Sequence, residues 1–161
     1  MATDLFAPRK ALTAHLEKLA AQGADVGIRG VAQAQDLSDV LSSGYHNHGY
    51  VYVTYDKSRN ISTQGANSIK SVETYTVTLA WRNNRPDRAN DCHGMDDAGA
   101  VKAMLEFYIH GWVIDGDYAS PSTGKPFTLS ENPPEAFYRP GGWAYYPIAF
   151  EIPVTRIRPK P

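Results

Sequence analysis

The stretch "DCHGMDD", residues 91–97, sets a thiol, an imidazole and three carboxylates side by side, the groups from which zinc sites and hydrolytic centres are built. A second stretch, "YHNHGY", adds His46 and His48, which point the same way if that segment is extended. With Cys92 or an aspartate they would complete a tetrahedral site, and the chain would be a metal-dependent hydrolase. Two features count against this. Cys92 and His93 are adjacent, which makes joint ligation of one ion awkward, and no zinc-finger, HExxH or deaminase spacing is present.

A helix accounts for the same residues more simply. Ala98, Val101, Leu105, Tyr108 and Trp112 form an apolar stripe at helical spacing, widened by Met104 and Ile109. Asp96 and Asp97 stand just ahead of it, where carboxylates accept from the unbonded N–H groups of a helix start and favour its positive end. Lys102, Glu106 and His110 lie four apart on the polar face, so His110 is expected to be solvated. Gly111 fits the left-handed position that closes a helix, with Trp112 folding back on the last turn. On this reading Cys92 and His110 are replaceable without loss of folding.

Other catalytic templates are absent: there is no GxSxG, GxxxxGK[ST] or GxGxxG. "STGKPF" at 122–127 lacks the first glycine of a phosphate loop and reads as a turn. "WRNNRPDR" supplies Arg82, Arg85 and Arg88 in one turn, which with the basic C-terminus would suit a small nucleic-acid-binding domain. The many tyrosines and tryptophans, however, fall mostly in the apolar phase of strands or on the helix stripe, where packing explains them better than base stacking. No catalytic residue, metal ligand or cofactor-binding residue is assigned, and no cofactor is expected.

The elements that surround these residues are legible from periodicity. In "SVETYTVTLAWRN", Tyr75, Val77, Leu79 and Trp81 point to one face, and Thr74, Thr76 and Thr78 to the other, which predicts a half-buried strand with a polar or partner-facing reverse side. "GYVYVTYDKS" is a second strand. "WAYYPIAFEIPV" is a third, with Tyr146, Ile148, Phe150, Ile152 and Val154 in phase; Pro147 and Pro153 place it along an edge or make it irregular. "ADVGIRGV" and "PFTL" read as short strands. "PRKALTAHLEKLAA" is a helix, with Pro8 in its first turn and Gly23 as its stop. Ser58 to Lys70 reads as a polar loop, and residues 113–142 mostly as loop.

The 161 residues, 42% hydrophobic and 20% charged, suit one globular domain over residues 1–161. The net charge of −1 gives no global pull toward nucleic acid or membrane. A short arm, residues 156–161, is basic, with Arg156, Arg158 and Lys160 and no acid. Cys92 is the only cysteine, and neither a signal-peptide core nor an apolar run of membrane-spanning length is present, so a soluble protein made in a reducing cytoplasm is expected. The order of elements predicts an α+β fold: a mainly antiparallel or mixed sheet with two main helices on one face, and Leu79, Trp81, Leu105, Tyr108, Ile148 and Phe150 in one core.

The helix "ALTAHLEKL", the strands "VYVTYDKS" and "TYTVTLAWRN", the helix ending "LEFYIHGW" and the final "AYYPIAFEIPV" together resemble the tail terminator (tail completion) proteins of tailed bacteriophages, the Mu-like group and more distantly the minor tail protein U of lambda-like phages. The resemblance runs over most of residues 9–154 and rests on element order and aromatic placement. It implies a non-enzymatic virion protein, assembled in the host cytoplasm into a ring, usually a hexamer, at the neck. Such a ring caps the tail tube, ends its polymerisation and offers the head-tail joining surface. Its implied partners are further copies of itself, the tail tube protein, a head completion or neck protein, the sheath protein if the tail is contractile, and genomic DNA only as it passes through the lumen; no membrane is involved. Within this expectation the 58–70 loop and the 156–161 arm are the candidate contacts between subunits or with the tube, through Arg59, Lys70, Arg156 and Arg158.

Overall fold

A computed structural model describes residues 6–23, 26–34, 38–39, 47–64, 68–82, 93–116 and 124–157. The elements are α1 (Ala7–Ala20), β1 (Gly30–Gln33), β2 (Tyr50–Gln64), β3 (Ser68–Arg82), α2 (His93–Ile109), β4 (Thr128–Leu129), β5 (Phe137–Arg139) and β6 (Trp143–Ile157). They form a single α+β domain with a six-stranded mixed, mostly antiparallel sheet. The order across it is β1-β2-β3-β6-β4, with β5 also paired to β6; β1 lies parallel to β2 and every other pairing is antiparallel.

Both helices cover one face. Leu12, Leu16 and Leu19 of α1 and Ala98, Val101, Leu105 and Ile109 of α2 share a core with Val51, Val53, Tyr75, Val77, Leu79, Ile148, Phe150 and Ile152. Trp81 belongs to this core, and Tyr108 packs against it half-buried. Gly111 has φ +82°, as the helix-ending position requires, and its N–H donates to the Phe127 carbonyl at 2.8 Å. Trp112 does fold back. Its ring stacks on His15 at 3.9 Å and on Phe127 at 5.6 Å, and Tyr108 stacks on His15 at 4.2 Å, so an aromatic column ties α1 to α2.

Several expectations need correction. The helix α2 begins at His93, so Asp96 is its fourth residue and Asp97 its fifth, and neither stands before it. His110 is exposed but bonded, its Nδ1 accepting the Leu129 N–H at 3.2 Å. β6 is an interior strand, paired with β3 along its whole length. Its prolines are tolerated because β6 is only patchily covered on its outer side. The Ala149 carbonyl accepts from Ser130 N–H there, so by two-residue periodicity Pro147 and Pro153 turn their nitrogens the same way. Pro147 falls between the segments paired by β5 and β4, and Pro153 lies beyond both. The threonine face is polar as expected, but not open: Thr54, Thr74, Thr76 and Thr78 are all buried, beside a small second cluster of Tyr52, Ala80 and Tyr145.

Candidate assembly surface

β2, β3 and β6 are each 15 residues long, about 50 Å at the usual rise per residue, and the helices cover only part of that length. β2 is buried from Val51 to Thr54 and exposed from Asp56 to Ile61, whereas β3 stays buried from Ser71 to Trp81. The described residues of the expected loop, 58–64 and 68–70, are therefore strand. The ladder pairs Ser58 with Glu73 and continues to Gln64 and Ser68, and residues 68–71 pair in turn with β6. The result is a three-stranded ribbon running past the core. Polar composition hid it, because a strand without a buried face has no reason to alternate.

Two register shifts shape the ribbon, between Tyr55 and Lys57 and between Asn60 and Ser62. The first reverses which side chains face which way. Tyr55 lies on the helix-covered face opposite Tyr75, but Lys57 lies on the reverse face opposite Thr74, and Ser58 returns to the covered face opposite Glu73.

On the covered face this brings together a part-buried polar cluster. The Glu73 carboxylate accepts from Tyr55 Oη at 3.0 Å, Ser58 Oγ at 2.9 Å, Ser71 Oγ at 2.6 Å and Arg156 Nη2 at 3.2 Å. Arg156 Nη2 also donates to Ser71 Oγ at 2.8 Å. Burial pushes the Tyr55 phenol above its ordinary value, and the bond to Glu73 adds to that. Phe6 closes the cluster from the start of α1, its ring edge-on to Tyr55 at 5.7 Å. Because a carboxylate with four donors, one of them a counter-ion, is well compensated for leaving water, the cluster fixes the register of β2, β3 and β6 where the apolar core ends.

On the reverse face Lys57 and Arg59 form one wall of a groove of about 710 Å³, with Val72 and Thr74 as its floor and Glu131 and Glu151 opposite. Glu151 is held in place by Ser130 Oγ, which donates to its Oε1 at 3.0 Å. Lys70 shares this face, pairing with Ser62 and lying two residues along β3 from the partner of Arg59. Beyond the groove the ribbon exposes Ile61 (60%), Ile69 (41%) and Ile157 (67%).

Of the four residues expected at an assembly contact, Arg59 and Lys70 are thus exposed on one face. Arg156 lies on the other, inside β6 and engaged with Glu73 of its own chain, so the arm does not begin at 156. Arg158 lies outside the described residues. Glu73 is the residue that sequence reading missed; an acid interrupting the apolar alternation of β3 is the signal that could have found it. The metal constellation falls largely outside what is described. His46, Cys92 and the side chain of His93 lie outside the described residues, and among those described no three His, Cys, Asp or Glu side chains are placed to hold an ion. Of the arginine turn, Arg85 and Arg88 lie outside the described residues, and Arg82 donates to the Gly141 carbonyl at 3.3 Å with its guanidinium over Trp143. No protein-family model and no curated protein matches the chain.

Proposed function

We propose that this chain is a structural subunit that closes into a ring, a tail terminator that caps a phage tail tube and offers the joining surface to the head. The observation that carries the reading is the β2–β3–β6 ribbon, which extends past the helices with Ile61, Ile69 and Ile157 exposed beside basic and acidic walls. Beyond Val154 the described residues of this ribbon add nothing to the core of their own chain. Exposed apolar side chains set among charged ones are a usual mark of a protein–protein contact. A contact that joins two different patches of identical subunits builds a ring if the rotation closes. The α+β order and aromatic placement of the resembled family agree with this reading, which needs neither cofactor nor catalytic residue. Its partners are further copies of the chain, the tail tube protein and a neck protein, with DNA only passing through the lumen.

The test is the charge-reversed pair Arg59→Glu and Lys70→Glu, with a separate deletion of residues 158–161. Oligomeric state is read by light scattering and electron microscopy, and tail length by complementation of a phage lacking the protein. Monomers that fold normally but fail to make rings, with overlong or headless tails, are expected from the charge reversal. Normal rings and normal tails from both variants would reject the ribbon as the contact. A wild-type chain that neither forms rings nor binds tail tubes would reject the function.

A further inference from the structure

The end of the sheet opposite the ribbon holds a cavity of about 430 Å³, lined by Ala20, Gly27, Ile28, Arg29, His48 and Trp81 among others. Three backbone-anchored bonds build its rim. Arg29 N–H donates to the Gly49 carbonyl at 2.9 Å, Gly49 N–H donates to the Ala80 carbonyl at 2.8 Å, and Arg82 N–H donates to His48 Nδ1 at 3.0 Å. Gly49 makes the closure possible. With φ +76°, it sits where a Cβ would meet the Gly27 carbonyl oxygen at 2.8 Å and the Arg29 stem at 3.3 Å. Gly27 is equally constrained, since a Cβ there would lie 2.6 Å from Val101 Cγ2.

The last of those bonds decides the chemistry of His48. Because Nδ1 accepts, the proton of the neutral ring is on Nε2, which is therefore a donor. Burial, and next the charge of Arg29, lower the pKa of this imidazole and favour the neutral form. The ring rests against Trp81 at 4.3 Å. The rim thus offers one permanent cation and one neutral N–H donor above a floor of Ala20, Ile28 and indole. A largely apolar cavity with a few convergent polar groups is the ordinary form of a small-molecule site.

We propose that this cavity binds a small monocarboxylate carried on a flat apolar body. The two carboxylate oxygens match the two donors, Arg29 and His48 Nε2–H, and one negative charge matches the one fixed positive charge. The flat body lies against Ala20, Gly27 and Trp81. The site is separate from the ribbon and stands or falls independently of the assembly reading.

Benzoate is the probe, titrated into the full chain while the His48 ring resonances are followed by NMR and the heat by calorimetry. Saturable binding is expected with a Kd on the order of 1 mM, as a ligand of this size supports. Acetate, which lacks the ring, and benzamide, which lacks the charge, should each bind roughly tenfold more weakly. Arg29→Gln, a surface substitution whose folding is checked by circular dichroism, should weaken benzoate by about tenfold or more. His48→Gln, which keeps an acceptor for Arg82 N–H, should have a smaller effect. Bound benzoate should raise the His48 pKa, since a neighbouring carboxylate favours imidazolium. A non-saturating response at His48, equal binding of acetate or benzamide, or unchanged binding by folded Arg29→Gln would each overturn the proposal.

Discussion

The same three strands support two unlike regions. From Tyr50, Arg82 and Trp143 inward, alternate side chains are large and apolar, and two helices bury them. Toward Gln64, Ser68 and Ile157 the backbone ladder continues, but the helices are gone and the outward residues are polar or exposed isoleucine. Forming a ladder and forming a core are thus separate achievements here. Backbone pairing alone leaves a hairpin marginal in water. This one is reinforced by a third strand and by the Glu73–Arg156 cluster at the boundary, which is a polar substitute for the core where the core stops.

The core end should be the more fragile. Leu105 is fully buried among residues of both helices and the sheet, so Leu105→Ala is expected to cost about 2–5 kcal/mol in urea unfolding. A cost near zero would mean that α2 does not pack as described.

Next in size is the boundary. Glu73→Ala strands a partly buried guanidinium and leaves the Tyr55, Ser58 and Ser71 hydroxyls without their acceptor. Arg156 retains 27% exposure, so water relieves part of the loss, and about 2–3 kcal/mol is expected. Arg156→Met should cost less, about 1 kcal/mol, because Glu73 keeps its three hydroxyl donors. If the two substitutions prove additive in a double-mutant cycle, the cluster does not couple β3 to β6 as argued.

What the sequence made legible follows the same boundary. Alternation in 72–81 and the stripe from Ala98 were readable because one buried face imposes a period, and Gly111 because only one helix-ending geometry suits it. The ribbon was not, since every side chain of "DKSRNI" is exposed and the pairing is dictated by distant β3 and β6. Arg59 and Lys70 were legible as exposed cations. The engagement of Arg156 was hidden by 83 residues of separation from Glu73, and by the register shift after Tyr55 that turns Ser58, rather than Lys57, toward it. The pairing of His48 with Arg82 was hidden in the same way, by distance along the chain.

A pH effect should also belong to the core end. His15, stacked between Tyr108 and Trp112, has its pKa lowered, chiefly by burial and further by Lys18; the bond to the Tyr108 carbonyl and the charge of Asp115 act the other way. A histidine whose folded pKa lies below its unfolded value of 6.5 contributes fully above that value. The contribution is lost as pH falls from there through the folded pKa, because the unfolded chain takes up its proton first. Stability should therefore decline below pH 6.5, and His15→Gln should flatten that part of the profile. An unchanged slope in the variant would assign the decline to other groups, His48 first among them since burial lowers its pKa too.

The smallest effect on folding is expected at the ribbon, and that is what makes it informative. Ile61 and Ile69 are exposed, so replacing both with threonine removes little buried surface and keeps a β-branched residue in each strand. The monomer should lose no more than about 0.5 kcal/mol. If those side chains serve a neighbour, the same double variant should weaken self-association far more than it weakens folding, because the exposed isoleucines disappear while the ladder stays. Sedimentation velocity across a concentration series, set beside urea unfolding of the same samples, separates the two quantities. Equal association by variant and wild type would show that the isoleucines are incidental, and the charged walls of the groove would then have to hold the contact. A large loss of folding stability would show instead that the tip is covered within its own chain, and the contrast between the two regions would fail.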